Sequence, residues 1–191
     1  MRLFIALNLP EAERQRVYRA AAPLREAGFP VSWLEPELYH LTLKFLGNIR
    51  AEAVPAVEGV VDRVAAATGA FPLTVGGFGA FPTIRRPRVL WIGIEPTPAL
   101  RCLKQDLEWS LANHGYEREM RAFHPHVTLG RASEREGAGA FRGLDAMAAE
   151  LGYCGTVDAG TVDLMRSQMS RGGRRYTLLR ESPLKAPSGK A

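Results

Sequence analysis

Cysteine, lysine and histidine are all scarce in this chain of 191 residues. Its two cysteines, Cys102 and Cys154, are too few and too widely spaced for a disulfide framework or a cysteine-based metal cluster, and they favour a reducing, cytoplasmic compartment. The opening MRLFIALNLP turns polar after a short apolar run, which predicts a first β-strand rather than a signal peptide or a membrane span. The chain also has no P-loop and no Gly-x-Ser-x-Gly nucleophile turn, which excludes two large enzyme classes.

Positive charge is in excess, and almost all of it is arginine. The formal net charge is +5 and the pI is about 9.6, which favours a polyanionic partner. Arginine binds phosphate in a bidentate manner and stacks on bases better than lysine does. Genome composition could produce the same bias. The few lysines are Lys44, Lys104, Lys185 and Lys190.

Two copies of a His-x-Thr-Leu motif are the most informative feature. The first lies in YHLTLKFLG, with His40 and Thr42, and the second lies in HVTLGR, with His126 and Thr128. With four histidines in the chain, roughly 0.2 His-x-Thr pairs are expected by chance, so two copies with a shared leucine indicate a function.

Each motif has the alternation of a half-buried strand. Successive side chains of a strand point to opposite faces, so His40 and Thr42 share one face while Leu41 and Leu43 share the other. The same alternation groups His126 with Thr128. The alternation also places Lys44 on the His40 face. Its placement of Arg131 on the His126 face is less secure.

A pair of histidines suits acid–base chemistry near neutral pH, because free imidazole titrates near ~6.5. One neutral ring can take a proton from water, and the other, protonated, can give a proton to a departing oxygen. The hydroxyls of Thr42 and Thr128 can donate to the non-bridging oxygens of a phosphoryl group. No metal is needed for this scheme. A zinc site beginning at His124-Pro125-His126 is the competing interpretation, but neither cysteine is near it in sequence.

The order of apolar runs and turn signals predicts an α+β fold: bilobal, with two antiparallel sheets facing a central cleft, helices on the outside and a pseudo-two-fold duplication. A single domain is expected over 1–182, and the Pro-, Ser-, Gly- and Lys-rich segment 183–191 is expected to be a disordered tail. Arg171-Gly172-Gly173 is predicted to be a hairpin turn. The predicted strands are 3–9, 31–34, 39–46, 71–81, 88–95, 122–131, 156–165 and 174–180, and the predicted helices begin at Pro10, Ala51, Thr97 and Ala140.

Three segments, HLTLKFLG, PRVLWIGIE and FHPHVTLGR, resemble the RNA 2′,3′-cyclic phosphodiesterases. These enzymes were first named 2′-5′ RNA ligases and belong to the two-histidine phosphoesterase superfamily. The resemblance extends to the opening RLFIALNLP and the closing LMRSQMSRGGRRYTLL. It implies a bilobal fold with both motifs in a central groove, no cofactor, and hydrolysis of a terminal RNA 2′,3′-cyclic phosphate to a 2′-phosphate.

The same resemblance implies a role for individual residues. His40 would be the proton donor and His126 the proton acceptor, while Thr42 and Thr128 would hold the phosphate. Two further residues complete the motifs: Phe45 would line the nucleobase side, and Arg131 would contact phosphate or nucleotide.

Several alternatives remain at this stage. Ligation forming 2′-5′ linkages would be the reverse reaction, a small cyclic nucleotide could replace RNA, and an RNA-binding module would need only the basic loops. Arg85, Arg86, Arg88, Arg171, Arg174 and Arg175 are either solvated loop residues or contacts to an RNA backbone. The protein is expected to be a monomer that does not associate with membranes.

Overall fold

The structure is a computed structural model that describes residues 1–133, 136–170 and 173–186. Its strands are β1 (Arg2–Asn8), β2 (Val31–Trp33), β3 (His40–Asn48), β4 (Phe71–Thr83), β5 (Arg86–Ile94), β6 (His126–Ala132), β7 (Cys154–Ala159), β8 (Thr161–Ser170) and β9 (Gly173–Pro183). Its helices are α1 (Glu11–Ala20), α2 (Ala22–Glu26), α3 (Val54–Ala67), α4 (Pro98–Ala112) and α5 (Leu144–Glu150).

The named strands pair in the order β7-β4-β5-β6-β3-β1-β8-β9, and β2 pairs with β6. Every strand pair is antiparallel, which confirms the predicted α+β class. The central strands β3 and β6 meet only at Leu41 and Val127. The two predicted sheets are therefore joined edge to edge at this single pair.

The two halves of the sheet do not correspond to the two halves of the chain. Strand β3 lies beside β1, and β8 and β9 continue that half. Strand β6 lies beside β5, and β4 and β7 continue the other half. Each half therefore combines strands that are distant in sequence, but the expected duplication is present: β1, α1 and β3 form one strand–helix–strand unit, and β5, α4 and β6 repeat it on the other side of the junction.

The helices α3 and α4 cover the apolar face of the central strands. On α3 the buried residues are Val57, Val60, Val61, Val64 and Ala65, and on α4 they include Leu100, Leu103, Leu107 and Leu111. These side chains join one core with the apolar residues that alternate with the histidines and threonines, Leu41, Leu43, Val127 and Leu129. Burial of this face leaves the opposite face of both motif strands open as a cleft.

Several sequence-based boundaries differ from the structure. The second motif strand, predicted over 122–131, begins at His126. The first helix is interrupted at Ala21, two residues before Pro23, because proline cannot donate the backbone hydrogen bond of a continuous helix. The predicted strand 156–165 is two strands, β7 and β8, separated at Gly160. The helix predicted from Ala140 begins at Leu144, after a short 3₁₀ turn.

The chain continues in contact with the domain beyond the predicted start of the tail. Strand β9 extends to Pro183, Leu184 is buried, and Lys185 pairs with Gly69. Residues 187–191 lie outside the described residues, as do Arg171 and Gly172 of the predicted hairpin turn. Gly173, at the end of that turn, has φ of 107°, a conformation that favours glycine. Within the described part of the chain, no helix is long and apolar enough to cross a membrane.

Candidate active site

The two motif strands present their histidines and threonines on the same face of the sheet. His40 and Thr42 are half-buried, as are His126 and Thr128, whereas the residues between them are fully buried. Two adjoining cavities open on this face. His40 lines a smaller cavity of about 180 Å³, and His126 lines a larger one of about 420 Å³.

Both cavities share a common wall made of four predicted site residues. Each cavity is lined by Thr42, Phe45, Thr128 and Arg131. The wall therefore brings the two threonines together between the two histidines. The motifs are distant in sequence, and the sheet places them in one cleft.

A β-bulge in each motif strand explains why Phe45 and Arg131 share this wall. Along β3, Thr42 pairs with Ala6 but Lys44 pairs with Ile5, so Leu43 has no partner of its own. A bulge of this kind inserts one extra residue and shifts the alternation of the side chains that follow. The sixth motif residue consequently lies on the histidine face.

The second motif contains the matching bulge. Along β6, Thr128 pairs with Trp91 and Gly130 pairs with Leu90, which leaves Leu129 between them. Gly130 lies where an added Cβ would come within 2.6 Å of Val31, so a side chain there would require β2 to move. The bulge turns Arg131 to the exposed side.

The bulge at Leu43 in β3 contradicts the sequence-based placement of Lys44 on the His40 face. Its side chain is buried on the opposite face from His40, and its Nζ donates to Glu108 Oε2 at 2.5 Å and to the Glu117 carbonyl at 2.6 Å. Regular alternation fails here because the bulge precedes Lys44. The ammonium group is thus part of a buried ion cluster, and Lys44 also contributes to the lining of the larger cavity.

Backbone carbonyls orient both histidine rings in the same way. His40 Nδ1 lies 2.7 Å from the Leu38 carbonyl, and His126 Nδ1 lies 2.6 Å from the His124 carbonyl. A carbonyl oxygen can only accept, so each Nδ1 carries a hydrogen. The neutral rings therefore have the same tautomer, in which Nε2 is the basic atom.

The Nε2 atom of His40 is already next to a threonine hydroxyl. Thr42 Oγ1 lies 3.1 Å from it. When His40 is neutral, the hydroxyl is the donor in this contact, and when His40 is protonated, the ring is the donor. The bond holds the ring edge toward the shared wall of the cavities.

Aromatic rings enclose both histidines. His40 lies between Phe4 and Tyr176, with ring centroids at 4.9 and 5.0 Å. His126 contacts Phe81 edge-on at 5.0 Å and lies 6.2 Å from Trp91. Apolar surroundings disfavour the charged form of imidazole.

The pKa values of both histidines follow from this enclosure. Burial lowers the pKa of His40 to about 4, and the positive charges of His126 and Arg174 add to the effect, while the hydrogen bond to Leu38 opposes it. Burial also lowers the pKa of His126, with further contributions from His124 and Arg131. The dependence of His40 on His126 is consistent with two rings facing one cleft.

Sequence reasoning did not identify Arg2, Phe4 and Tyr176 as site residues. Together with Arg174, they line the smaller cavity around His40. They come from β1, which lies beside β3, and from β9, which lies two strands beyond β1 on the same side. The one sequence signal for this wall was the basic run RGGRR, which contains Arg174.

The other predicted basic loop lies elsewhere. Arg85 pairs with Asp145 at 3.9 Å, and Arg86 and Arg88 line a separate surface cavity. Among residues 1–133, 136–170 and 173–186, no group of three or more His, Cys, Asp or Glu side chains is arranged to hold a metal ion. The predicted competitor, a zinc site at His124 and His126, thus has no third ligand in the described part of the chain.

Comparison with known proteins agrees with this geometry. A family model described as LigT like phosphoesterase matches residues 7–91. An RNA 2′,3′-cyclic phosphodiesterase of Methanothermobacter thermautotrophicus is 31% identical over 182 residues, covering 93% of this chain and 95% of the relative. One from Aeropyrum pernix is 32% identical, covering 87% and 93%. The crystal structure of E. coli LigT complexed with 3′-AMP has a TM-score of 0.75 and 32% identity, covering 96% of this chain and 97% of that one.

The fold and the paired motifs are those of a two-histidine phosphoesterase. Relatives that share more than 30% identity over nearly their whole length establish the family. The chain belongs to the LigT-like phosphoesterase family, which confirms the resemblance seen in its motifs.

Proposed function

We propose that this protein hydrolyses the terminal 2′,3′-cyclic phosphate of RNA to a 2′-phosphate by metal-independent acid–base catalysis. One observation carries the proposal. Both histidines donate Nδ1–H to a backbone carbonyl, which leaves two basic Nε2 atoms for one cleft that the two threonines share. The names of the relatives support the substrate class.

The reaction needs one neutral and one protonated ring. His126 Nε2 takes a proton from water as the water oxygen bonds to phosphorus. The bond from phosphorus to O3′ breaks, and protonated His40 gives its Nε2 proton to that oxygen, leaving a free 3′-hydroxyl and a 2′-phosphate. Each proton transfer contributes about 10²–10⁴ in rate.

The assignment of donor and acceptor follows the family resemblance, because the two rings are oriented alike. Burial favours a neutral ring at both positions, which suits a base directly. The acid needs a negative neighbour to become protonated, and a bound phosphodiester supplies that charge. His40 therefore becomes an acid only once the substrate is bound.

The shared wall provides the rest of the site. The hydroxyls of Thr42 and Thr128 donate to the non-bridging oxygens, which gain charge in the transition state. Arg131 adds positive charge at the phosphate, and the exposed ring of Phe45 stacks on a base. Lys44 has no direct role here, since its ammonium is paired with Glu108.

Two further activities share this cleft. Ligation to a 2′-5′ linkage is the reverse reaction, with a ribose hydroxyl in place of water, and it is a minor activity because water is abundant. A small 2′,3′-cyclic nucleotide has the same reacting group and is a second substrate. We expect a cytoplasmic monomer, and an RNA-binding module without turnover is the competing hypothesis.

The test is incubation with an RNA that ends in a 2′,3′-cyclic phosphate, in the presence of EDTA, followed by end-group analysis. We expect a 2′-phosphate product, no added metal requirement, and loss of turnover but not of binding in His40→Ala and His126→Ala. Turnover that needs zinc or survives in both variants would refute the mechanism. Salt-sensitive binding without turnover would favour the RNA-binding module.

A further inference from the structure

Three arginines surround the His40 side of the cleft. Arg2 of β1, Arg131 of β6 and Arg174 of β9 all line the 180 Å³ cavity that contains His40. Their charges act on one another. Burial lowers the pKa of Arg131, and the positive charges of Arg174 and Arg2 lower it further.

In the part of the chain that the structure describes, no carboxylate is paired with these charges. Across residues 1–133, 136–170 and 173–186, none of the three guanidinium groups forms an ion pair with Asp or Glu. The described lining of this cavity contains no acidic residue. Three cations around one small cavity repel one another, and an anionic ligand bound among them would relieve that repulsion.

The cyclic phosphate alone does not account for this charge. It carries one negative charge, and it already has Arg131, two threonine hydroxyls and a protonated His40 in the proposed reaction. Arg2 and Arg174 are then in excess. Bidentate arginine contacts are typical of phosphate recognition, so the excess points to a second phosphate.

The proposed direction of attack shows where that phosphate lies. Water attacks opposite to the bond that breaks, so His126 and the leaving O3′ are on opposite sides of phosphorus. Because His40 protonates O3′, the ribose lies on the His40 side, together with Arg2 and Arg174. The phosphate attached to the 5′ carbon of the same ribose must therefore enter the smaller cavity.

The sizes of the cavities agree with this arrangement. A space of about 180 Å³ is below the usual 300–1,000 Å³ of small-molecule sites, and it suits a phosphate with part of a sugar. The cavity of about 420 Å³ is lined by aromatic residues, among them Phe45, Phe81 and Phe123. Among the described aromatic residues that line these cavities, Phe45 is the one common to both, which allows the base to stack beside the ribose.

We propose that Arg2 and Arg174 bind the phosphate on the 5′ side of the nucleotide that carries the cyclic phosphate. This inference rests on the proposed function and extends it to substrate selection. The enzyme would prefer the end of an RNA chain, or a 5′-phosphorylated cyclic nucleotide, over a nucleoside 2′,3′-cyclic phosphate with a free 5′-hydroxyl. Both residues are specificity determinants that leave the reacting bond to the histidines.

The test compares four substrates. Two are adenosine 2′,3′-cyclic phosphate and its 5′-phosphorylated form, and two are dinucleotide cyclic phosphates whose bridging phosphate is either native or an uncharged methylphosphonate. With the wild-type protein we expect kcat/KM to be at least about tenfold higher for the 5′-charged substrates, as a charge-assisted contact predicts. Arg174→Gln and Arg2→Gln should remove most of that preference. The readout is the ratio of kcat/KM for the charged and uncharged forms, because Arg174 also acts on the pKa of His40 and can change the absolute rate on every form.

Arg88→Gln is the matched control, because Arg88 is exposed on β5 and lines a different cavity. Equal losses on charged and uncharged substrates would overturn the inference, since the arginines would then serve the reacting phosphate. A wild-type enzyme that hydrolyses all forms equally well would also overturn it while leaving the proposed function intact. Failure of the wild-type enzyme on every substrate would refute the proposed function and this inference with it.

Discussion

The Nζ of Lys44 lies 2.5 Å from Oε2 of Glu108, and both side chains are buried. Glu108 also pairs with Lys104, and it accepts from the backbone N–H of Glu119 at 3.1 Å. Burial alone raises the pKa of Glu108, but the hydrogen bonds from Lys104 and Lys44 more than offset it, so the net pKa is lowered. The cluster ties β3 and α4 to the segment that precedes His126.

Lys44→Met should therefore destabilise the fold. Removing one member of a buried ion pair typically costs about 3–5 kcal/mol, and the remaining partner Lys104 reduces this to roughly 2–3 kcal/mol. Urea unfolding followed by circular dichroism measures the change. Arg85→Met is the control, because its exposed ion pair with Asp145 should contribute less than about 1 kcal/mol. A stable Lys44→Met variant with a raised KM would instead restore Lys44 as a substrate contact.

Alanine at either motif histidine should lower kcat by about 10²–10⁴, because each ring carries one proton transfer. His114→Ala is the matched control, since this histidine is exposed near the end of α4 and lines neither cavity. Single-turnover assays on the cyclic phosphate measure the loss. A double variant His40→Ala/His126→Ala that is no slower than either single variant would show that the rings act as a unit. A small loss in only one single variant would contradict the paired roles.

The pH dependence should reflect the lowered pKa of both histidines. The free enzyme needs one neutral ring and one protonated ring, and the pKa of His40 is about 4 while that of His126 is below 6.5. At low pH both rings are protonated and no base exists, and at high pH both are neutral and no acid exists. Because His40 must be protonated while His126 is neutral, only a minor fraction of the free enzyme is productive, and kcat/KM should be highest on the acidic side of pH 6.5.

Bound phosphate should shift this profile. Its negative charge favours imidazolium, so the alkaline limb of kcat should lie at higher pH than that of kcat/KM. Initial rates from pH 4 to 9, at saturating and at low substrate, separate the two profiles. A kcat/KM that stays flat from pH 6 to 9 would show that the two-histidine scheme is not rate-determining.

Sequence alone could predict that each motif histidine shares a strand face with Thr42 or Thr128, because this prediction needs only the local strand pattern. Both strands are regular between the histidine and the threonine, so simple alternation places them correctly. Beyond that point the bulges at Leu43 and Leu129 reverse the alternation. Phe45 and Arg131 came from the family motif, whereas alternation placed Lys44 on the His40 face and its ammonium is instead paired with Glu108.

The remaining wall of the cleft depends on sheet order. Arg2 and Tyr176 are on strands separated by most of the chain, and they become neighbours only because β8 lies between β1 and β9. No local pattern records such a pairing. The α+β class could be predicted from sequence because strand and helix periodicity are local patterns. The junction of the two halves at Leu41 and Val127 could not, because it joins segments that are distant in sequence.

The two threonine hydroxyls should matter through their hydrogen bonds and not through their methyl groups. Thr128→Val keeps the shape of the side chain but removes one donor to the phosphate, which should lower kcat by about 10²–10³. Thr42→Val should lower it at least as much, because the hydroxyl also contacts His40 Nε2. Thr→Ser at each position is the control and should retain most of the activity. Equal activity of the valine and serine variants would show that neither hydroxyl contacts the phosphate.

Phe45 allows base stacking to be tested separately from folding, because its side chain is 67% exposed and contributes little to the core. Phe45→Ala should leave the free energy of unfolding within about 0.5 kcal/mol. Loss of base stacking, typically about 1–3 kcal/mol per base, should raise KM by roughly 5- to 100-fold while kcat stays near its wild-type value. Leu178→Ala is the control, since Leu178 is also exposed, lies on β9 and lines neither cavity. Phe45→Trp should restore affinity because any flat ring can stack on a base, and a failure of this rescue would mean that Phe45 shapes the wall without contacting the nucleotide.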